Sequence, residues 1–313
     1  LARDLVRKGN REAVALLFGD VGDTLSQLIR TAIVAPPGKV LCVSDFSAIE
    51  ARVLAWLAGE TWVLQAFERG EDIYCATASS MFNVPVEKHG ENSHLRQKGK
   101  IAVLASGYQG GPNALISMGA LKMGLTEEEL PDIVERWRKA NPRIVDFWRK
   151  VENAALYTMN TARPTGIEPG ILFARESNPA YGNDFLTIML PSRRKLFYPS
   201  PHTAVNQFGR AALHYRTQVG AVWGTTSTYG GKLAENITQA VARDCLAEAV
   251  TRLTDVGYRI VMHIHDEVVI EVDETGVEDT LKEVNAIMAE PLPWAPGLHL
   301  TAAGFINKYY MKD

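Results

Sequence analysis

The feature that most constrains the fold is a pair of short apolar runs near the carboxyl-terminal end of the chain. Residues 260–264 and 268–272 are rich in Val and Ile, and the polar triplet His265, Asp266 and Glu267 lies between them. Two such runs joined by a short polar segment predict a β-hairpin with the polar residues at its tip. The chain should therefore contain an antiparallel sheet with acidic side chains at one end.

A second strand is predicted near the amino-terminal end. Residues 40–43 form a β-branched apolar run that leads to Asp45, and helical apolar spacing follows from 47 to 58. Asp45 should therefore lie at the carboxyl end of a strand, directly before a helix. Ser47 and Glu50 also have the spacing of a capping box at the start of that helix.

The rest of the chain places a long helical segment between these two sheet-forming parts. We predict helices in residues 1–33, 61–160 and 233–253, the last of them amphipathic, and loops with short strands in 161–202. The Pro-rich stretch 291–297 should precede a final short strand or helix. The 313 residues are 46% hydrophobic and 22% charged, which is ordinary globular composition and enough for one large domain or two. The expected fold class is α+β.

Charge and cysteine content narrow the class of protein. The formal net charge is −3, from 33 Lys and Arg against 36 Asp and Glu, so nucleic-acid binding would depend on local basic patches. Cys42, Cys75 and Cys245 lie far apart and indicate neither a zinc site nor a disulfide framework, which favours a reducing, cytoplasmic setting. No apolar run is long enough to predict a membrane span. Because the chain does not begin with Met, we expect a piece of a longer protein.

Asp45 and Asp266 are the first candidates for chemistry. Each alone has an ordinary explanation, because acids commonly open helices and Asp is common in hairpin turns. Two carboxylates that meet at one sheet edge could instead hold two divalent cations, which stabilise the attacking and leaving oxygens of a phosphoryl transfer. From these residues alone, both interpretations stay open.

A second candidate is a stripe on the predicted helix that precedes Gly110. Arg96, Lys100, Leu104 and Tyr108 follow one another in steps of four, so they share one helical face. Two cations and an aromatic ring on one face could bind a triphosphate and contact a base. The alternative is a solvated basic face beside a core tyrosine.

Taken in order, six segments resemble the polymerase module of family A DNA polymerases, and the phage branch most. DFSAIEAR at 45–52 is similar to motif A, RQKGKIAVLASGYQGG at 96–111 to motif B, and IHDEVVIEV at 264–272 to motif C. DIYCATASSMFNVP at 72–85, PSRRKLFYP at 191–199 and ENITQAVARD at 235–244 resemble the segments between these motifs. The resemblance covers roughly residues 25–313.

The resemblance implies a right-hand polymerase fold. Its palm, an antiparallel sheet with helices, would comprise residues 1–60 and 216–313, and mostly helical fingers with connecting loops would comprise 61–215. It leaves no room before Asp45 for a thumb or a proofreading exonuclease, so both would belong to a missing amino-terminal part.

The resemblance also implies roles for particular residues. The catalytic group would be Asp45, Asp266 and Lys100, with metal held by the two carboxylates and the main-chain carbonyl of Phe46. The nucleotide would be bound by Glu50, which excludes a 2′-hydroxyl, and by Arg96, Lys100, Leu104 and Tyr108. Contacts with DNA would come from Arg52, Gln239 and His265, and Glu267 would support the metal site.

The implied reaction is template-directed transfer of a deoxynucleotide from a dNTP to a DNA 3′-hydroxyl. The implied cofactor is Mg²⁺, as two ions that Mn²⁺ can replace, and the implied partners are a DNA template–primer, dNTPs and the missing amino-terminal part. The expected location is the bacterial or phage-host cytoplasm. Two alternatives stay open: a catalytically incomplete nucleic-acid-binding fragment or subunit, and a single-subunit RNA polymerase, against which Glu50 argues.

Four positions depart from the family pattern. Leu104 replaces an aromatic residue of motif B, and Tyr74 stands where a histidine usually contacts phosphate. Ala48 replaces a glutamine after the motif A serine, and Gln109 displaces the glycine that usually follows Tyr108. None of these changes removes a carboxylate or the Arg–Lys pair.

Overall fold

The structure is a computed structural model that describes residues 1–178 and 182–311. The amino-terminal segment is helical, as predicted, and comprises α1 (Ala2–Arg7), α2 (Arg11–Phe18), α3 (Val21–Gln27) and a 3₁₀ turn (Ile29–Ala32). Asn10 and Asp20 cap α2 and α3, because their side-chain oxygens accept the main-chain N–H groups of Ala13 and Asp23. These caps explain why one predicted helical stretch divides into short helices.

A four-stranded antiparallel sheet joins the two ends of the sequence. It contains β1 (Lys39–Phe46), β9 (Ile260–Ile264), β10 (Glu267–Asp273) and β11 (Ala302–Asn307), in the order β11-β1-β10-β9. Helix α12 (Val277–Ala289) packs on β1 and β11. The predicted strand before Asp45, the hairpin around Asp266 and the final strand are all confirmed.

The sheet is held together by a compact apolar cluster. Leu41, Val43, Val269 and Tyr310 are buried against one another. Strand β11 approaches β1 closely at Gly304, where a Cβ atom would lie only 2.0 Å from the carbonyl oxygen of Val43. A larger residue there would force the two strands apart.

The long middle of the chain is helical, as the sequence predicts. Seven helices follow β1: α4 (Ile49–Ala58), α5 (Thr61–Glu68), α6 (Ile73–Phe82), α7 (Leu95–Ser106), α8 (Pro112–Ser117), α9 (Leu130–Ala140) and α10 (Pro142–Thr161). Gly59 ends α4 in the left-handed conformation, and Pro112 and Pro142 are the first residues of α8 and α10.

Two small antiparallel sheets follow α10. The first contains β2 (Thr165–Ile167), β3 (Ile171–Asn178), β4 (Asn183–Met189) and β5 (Lys195–Pro199), in sequence order. The second contains β6 (His202–Val205), β7 (Ala211–Val219) and β8 (Val222–Thr228), also in sequence order. The sequence predicts the first sheet only as loops and short strands, and it does not predict the second.

Helix α11 (Gly230–Asp255) includes the predicted helix at 233–253 but is not amphipathic. Leu233, Ile237, Val241, Asp244 and Leu246 are buried, and they cover more than one side of the helix. The prediction of an amphipathic helix was wrong because small residues between the polar positions are also buried. Within the described part of the chain, no helix combines the length and apolar character needed to cross a membrane.

The chain divides into two compact units. The first comprises Leu1–Ser47, Cys245–Glu290 and Leu300–Asp313, and the second comprises Ala48–Asp244 and Pro291–His299. The divisions fall between β1 and α4 and inside α11, whereas the sequence placed the palm boundaries after 60 and after 215. The boundaries of the two units therefore differ from those predicted for the palm and the fingers.

Candidate active site

The first unit brings Asp45 and Asp266 to the same end of its sheet. Asp45 is the residue before last of β1, and its register partner on β10 is Glu267. The main-chain N–H of Phe46 donates a hydrogen bond of 3.2 Å to the carbonyl oxygen of Asp266. Strand pairing thus brings together two acids that lie far apart in the sequence. We call Asp45 and Asp266 the carboxylate end.

The turn that carries Asp266 is tight. His265 has a φ of 53°, in the left-handed region, and only His265 and Asp266 separate β9 from β10. Histidine and aspartate adopt this region more readily than β-branched residues do. The turn leaves His265 exposed to solvent.

Glu267 has a partner that the sequence did not predict. Its side chain is 2% exposed, and Oε1 accepts a hydrogen bond from the hydroxyl of Tyr310. Burial, together with this hydrogen bond and the negative charge of Glu267, raises the pKa of Tyr310 to about 12. Tyr310 follows the last strand with no motif of its own, so no sequence signal pointed to it. Glu267 therefore bonds to Tyr310 inside the first unit, directly next to the carboxylate end in the sequence.

The carboxylate end has the donor chemistry of a magnesium site. Among residues 1–178 and 182–311, no three His, Cys, Asp or Glu side chains come together as metal ligands. The donors available at this end of the sheet are the carboxylates of Asp45 and Asp266 and the carbonyl oxygen of Phe46. All are hard oxygens, and Mg²⁺ commonly takes one or two carboxylates and completes its shell with water and phosphate oxygens. The residues present fit that ion.

The second unit holds a separate group of candidate residues, Glu50, Arg96, Lys100 and Tyr108, which we call the α7 group. Glu50 on α4 is exposed, and both of its oxygens have partners. The hydroxyl of Tyr108 donates to Oε2 at 2.8 Å, and Nε2 of Gln239 donates to Oε1 at 3.4 Å. Burial, and next the charge of Glu50, raises the pKa of Tyr108 well above its usual range, so Tyr108 stays a neutral donor.

The capping box predicted for Ser47 and Glu50 is not formed. The N-cap of α4 is Ala48, which has a φ of 52° and gives the helix no side-chain hydrogen bond. Strand β1 continues to Phe46, so the helix begins one residue later than a capping box requires. Glu50 is consequently free of the capping role, and its carboxylate bonds to Tyr108 and Gln239 instead.

Arg96 is held by an acid that the sequence analysis did not single out. Its Nη2 and Nε atoms lie 2.8 Å and 3.0 Å from Oδ2 of Asp72, and its guanidinium lies 5.3 Å from the ring centroid of Tyr74. Asp72 also caps α6 by accepting the N–H groups of Tyr74 and Cys75. Burial alone would raise the pKa of Asp72, but Arg96 and these N–H groups together hold it below its usual range. The only signal was the position of Asp72 directly before a helix.

Close packing of α6 and α7 makes the Arg96 contact possible. At Gly99, a Cβ atom would lie 2.2 Å from the carbonyl oxygen of Tyr74, so α7 can approach α6 only with glycine at this position. This packing sets Arg96 beside the first turn of α6.

Lys100 and Leu104 lie on the same helix as Arg96, but their side chains are not held by a partner in the way that Asp72 holds Arg96. Lys100 is half-buried, and in the described part of the chain its ammonium group makes no ion pair or hydrogen bond. Leu104 is 42% exposed. Helix α7 ends at Ser106, so Tyr108 follows the stripe instead of extending it on the helix as predicted. The cause is Gln109, whose φ of 67° turns the chain away.

The segment around Tyr108 is fixed by its neighbours. The indole N–H of Trp148 donates to the carbonyl oxygen of Gly107 at 2.9 Å. The side-chain oxygen of Gln109 accepts the N–H of Gly231 at 3.0 Å, and a Cβ atom at Gly231 would lie 2.4 Å from the carbonyl oxygen of Tyr108. Gln109, which departs from the family pattern, thus ties this segment to the start of α11.

Arg52 was expected to contact DNA, and its surroundings argue against this. It is 6% exposed, its Nη1 donates to the carbonyl oxygen of His299 at 2.9 Å, and its guanidinium lies 4.1 Å from the ring centroid of Phe67. Burial lowers the pKa of Arg52. The guanidinium of Arg52 therefore makes its contacts inside the second unit. Gln239 and His265, the other two residues expected to contact DNA, are exposed.

Comparison with solved structures defines the class of protein. The fold is similar to the polymerase domain of Pol1 from M. smegmatis, solved with a DNA primer–template and dNTP, with a TM-score of 0.55 and 18% sequence identity over 90% of this chain and 42% of that one. The chain thus has the fold of a nucleic-acid polymerase domain, an α+β arrangement of antiparallel sheet and helices.

The sequence comparisons then give the family. Residues 20–166 match the model for DNA polymerase family A. The DNA polymerase of Bacillus phage SP02 is 51% identical over 314 residues, which cover 100% of this chain and 47% of that polymerase. The thermostable DNA polymerase I of Thermus aquaticus is 25% identical over 281 residues, 88% of this chain and 28% of that protein. The chain is similar to family A DNA polymerases, and it spans less than half the length of these relatives.

Proposed function

We propose that this chain is the catalytic part of a DNA polymerase, which transfers a deoxynucleotide from a dNTP to a DNA 3′-hydroxyl under the direction of a template. The observation that carries the proposal is the pairing of β1 with β10, which sets Asp45 and Asp266 at one sheet end through the Phe46–Asp266 main-chain hydrogen bond. Similarity to a phage DNA polymerase over the whole chain supports the same reaction.

The proposal assigns one task to each unit. The first unit corresponds to the palm and carries the metal-binding carboxylates. The second corresponds to the fingers with their connecting sheets and carries the nucleotide-binding residues. A thumb would belong to the part of the relatives that this chain does not cover.

In the first unit, Asp45, Asp266 and the carbonyl oxygen of Phe46 would hold Mg²⁺, with Mn²⁺ as a substitute. Two such ions, when bound, lower the barrier by stabilising the oxygens that attack and leave in an in-line displacement. The protein's part is to keep the donors in place, and the main-chain hydrogen bond from Phe46 to Asp266 contributes to this. The hydrogen bond between Glu267 and Tyr310 would stabilise the turn that carries Asp266.

In the second unit, Lys100 and Arg96 would bind the triphosphate. No acid among the described residues pairs with Lys100, so its charge can neutralise the charge that develops on pyrophosphate. Arg96 bonds to Asp72 through Nε and Nη2, which fixes the plane of its guanidinium. Leu104 would contact the nucleotide through apolar surface only.

Glu50 and Tyr108 would select the sugar. Their hydrogen bond holds the Glu50 carboxylate in one orientation, and a carboxylate fixed in this way can exclude a 2′-hydroxyl by its bulk. Gln239, which also bonds to Glu50, and His265 would contact the template–primer.

The test is addition of a single nucleotide to a labelled template–primer in Mg²⁺. Each dNTP and each rNTP is supplied separately against each templating base. The proposal predicts extension with the complementary dNTP only. Extension with complementary rNTPs at equal rates would instead support RNA synthesis, and tight binding of template–primer with no extension would support a binding module.

A further inference from the structure

A long segment of the second unit lacks acidic residues. The chain contains 36 Asp and Glu in 313 residues, so a segment of fifty would carry about six, yet residues 185–234 contain none. The same segment contains six basic residues: Arg193, Arg194, Lys195, Arg210, Arg216 and Lys232. In a chain whose net charge is −3, this segment is a local positive region.

The sheet β6-β7-β8 lies within this segment, and its register defines two faces. His202 pairs with His214, Arg216 with Thr225, and Gln218 with Trp223, so these side chains share one face, which we call the outer face. Leu213 and Thr228 alternate with them and are buried, so they belong to the inner face.

The outer face combines an exposed aromatic ring with a cation that pairs with no acid in the described structure. Trp223 is 57% exposed. Arg216 is exposed, and it makes no ion pair or hydrogen bond through its side chain with the residues described in this chain. The rings of His202 and His214 stack at 5.5 Å beside this pair. Gln218, Thr225 and Ser227 add amide and hydroxyl groups to this face, and Ala204 and Ala212 also lie on it.

We propose that the outer face of β6-β7-β8 binds single-stranded DNA at a site separate from the polymerase reaction. The absence of carboxylates and the presence of Arg216 suit phosphates, and the hydroxyl and amide groups suit phosphate and base edges. Trp223 offers a flat surface on which an unpaired base stacks. A duplex keeps its bases stacked inside, so it would use the cation and not the ring. The inference goes beyond the proposed function and does not depend on catalysis.

The test is binding of a fluorescein-labelled oligothymidylate, followed by fluorescence anisotropy at several salt concentrations. Trp223→Ala should weaken binding by roughly 5- to 30-fold, and Trp223→Phe should restore most of it because a ring is kept. Arg216→Gln should weaken binding and reduce the slope of log affinity against log salt by about 0.7, the value for one phosphate on a single strand.

Two controls keep the result specific. The first control is Val222→Ala. Val222 precedes Trp223 in the strand, so its side chain lies on the other face, and it is 67% exposed. Its removal should leave binding unchanged. Trp223→Ala should also extend a saturating template–primer at the wild-type rate, which separates this surface from the polymerase reaction. Equal affinity of Trp223→Ala and the wild type would overturn the proposal, and so would an equal loss in Val222→Ala or an equal loss of duplex binding in Trp223→Ala.

Discussion

The carboxylate end and the α7 group position their side chains in different ways. At the carboxylate end, strand pairing and the Phe46–Asp266 main-chain hydrogen bond bring the two acids together. In the α7 group, the functional atoms are held by other side chains, as in the Arg96–Asp72 and Tyr108–Glu50 pairs. A carboxylate set by the main chain can be neutralised with little effect on the fold. A side chain set by another side chain cannot be removed without also changing its partner.

Lys100 is the exception within the α7 group, and it gives the largest effect expected for that group. Lys100→Ala should lower kcat/KM for the dNTP by about 100-fold because one charge-assisted contact to phosphate is lost. The melting temperature should not change, since Lys100 has no acidic partner in residues 1–178 and 182–311.

The matched control for Lys100 is on the same helix. Lys98 pairs with Glu129 at 2.5 Å, so Lys98→Ala should lower stability slightly and leave dNTP kinetics unchanged. Equal kinetic losses in the two variants would mean that α7 needs its positive charge in general and would remove the specific role of Lys100.

Glu50 tests whether a side-chain contact sets specificity. Glu50→Ala should raise ribonucleotide incorporation relative to deoxynucleotide by roughly 10- to 100-fold, because the bulk that excludes the 2′-hydroxyl is gone. The measurement is kcat/KM for a matched dNTP and rNTP pair. Glu235→Ala, which removes a nearby acid that also raises the pKa of Tyr108, should leave the ratio unchanged. An unchanged ratio in Glu50→Ala would exclude the gate.

Tyr310 tests the support beneath the carboxylate end. Tyr310→Phe leaves the buried Glu267 without this donor and should lower the free energy of unfolding by about 1–3 kcal/mol at neutral pH. Denaturant titration measures the loss, and Tyr309→Phe, at the neighbouring position, is the control. Equal stability of Tyr310→Phe and the wild type would contradict the supporting role.

The same residue predicts a dependence on alkaline pH. The folded protein keeps the Tyr310 proton up to a pKa of about 12, whereas the unfolded chain releases it near 10. The unfolded state therefore binds fewer protons in this window, so stability is full below pH 10 and falls as pH rises from about 10 to about 12. The fall should be shallower in Tyr310→Phe, and an identical fall in both proteins would contradict this origin.

Ala48 gives the smallest effect. Its φ of 52° is strained for an L-residue, so Ala48→Gly should raise the free energy of unfolding by about 0.5–1 kcal/mol. Ala51→Gly, inside α4, should lower it by about the same amount. Destabilisation by Ala48→Gly, measured by denaturant titration, would show that the turn between β1 and α4 does not store this strain.

The sequence predicted the features that are set by main-chain pairing and missed those that are set by contacts between side chains. Apolar periodicity and turn residues located β1, the hairpin and the carboxylate end, because main-chain pairing follows from those patterns. Asp72, the partner of Arg96, is distant in sequence, and the capping box failed because one more residue joined β1. Strands β7 and β8 were missed because their many Thr, Gly and polar residues leave no clear alternation of apolar and polar residues.

The most direct test of the account is primer extension by Asp266→Asn, with binding of template–primer measured on the same preparation. Asp273→Asn, at the far end of β10, the strand that Asp266 precedes, is the control, since Asp273 pairs only with Lys39 at 2.8 Å in the described structure. The account predicts that Asp266→Asn lowers extension by at least about 1,000-fold while template–primer binding and the melting temperature stay unchanged. Extension by Asp266→Asn at the wild-type rate would contradict it.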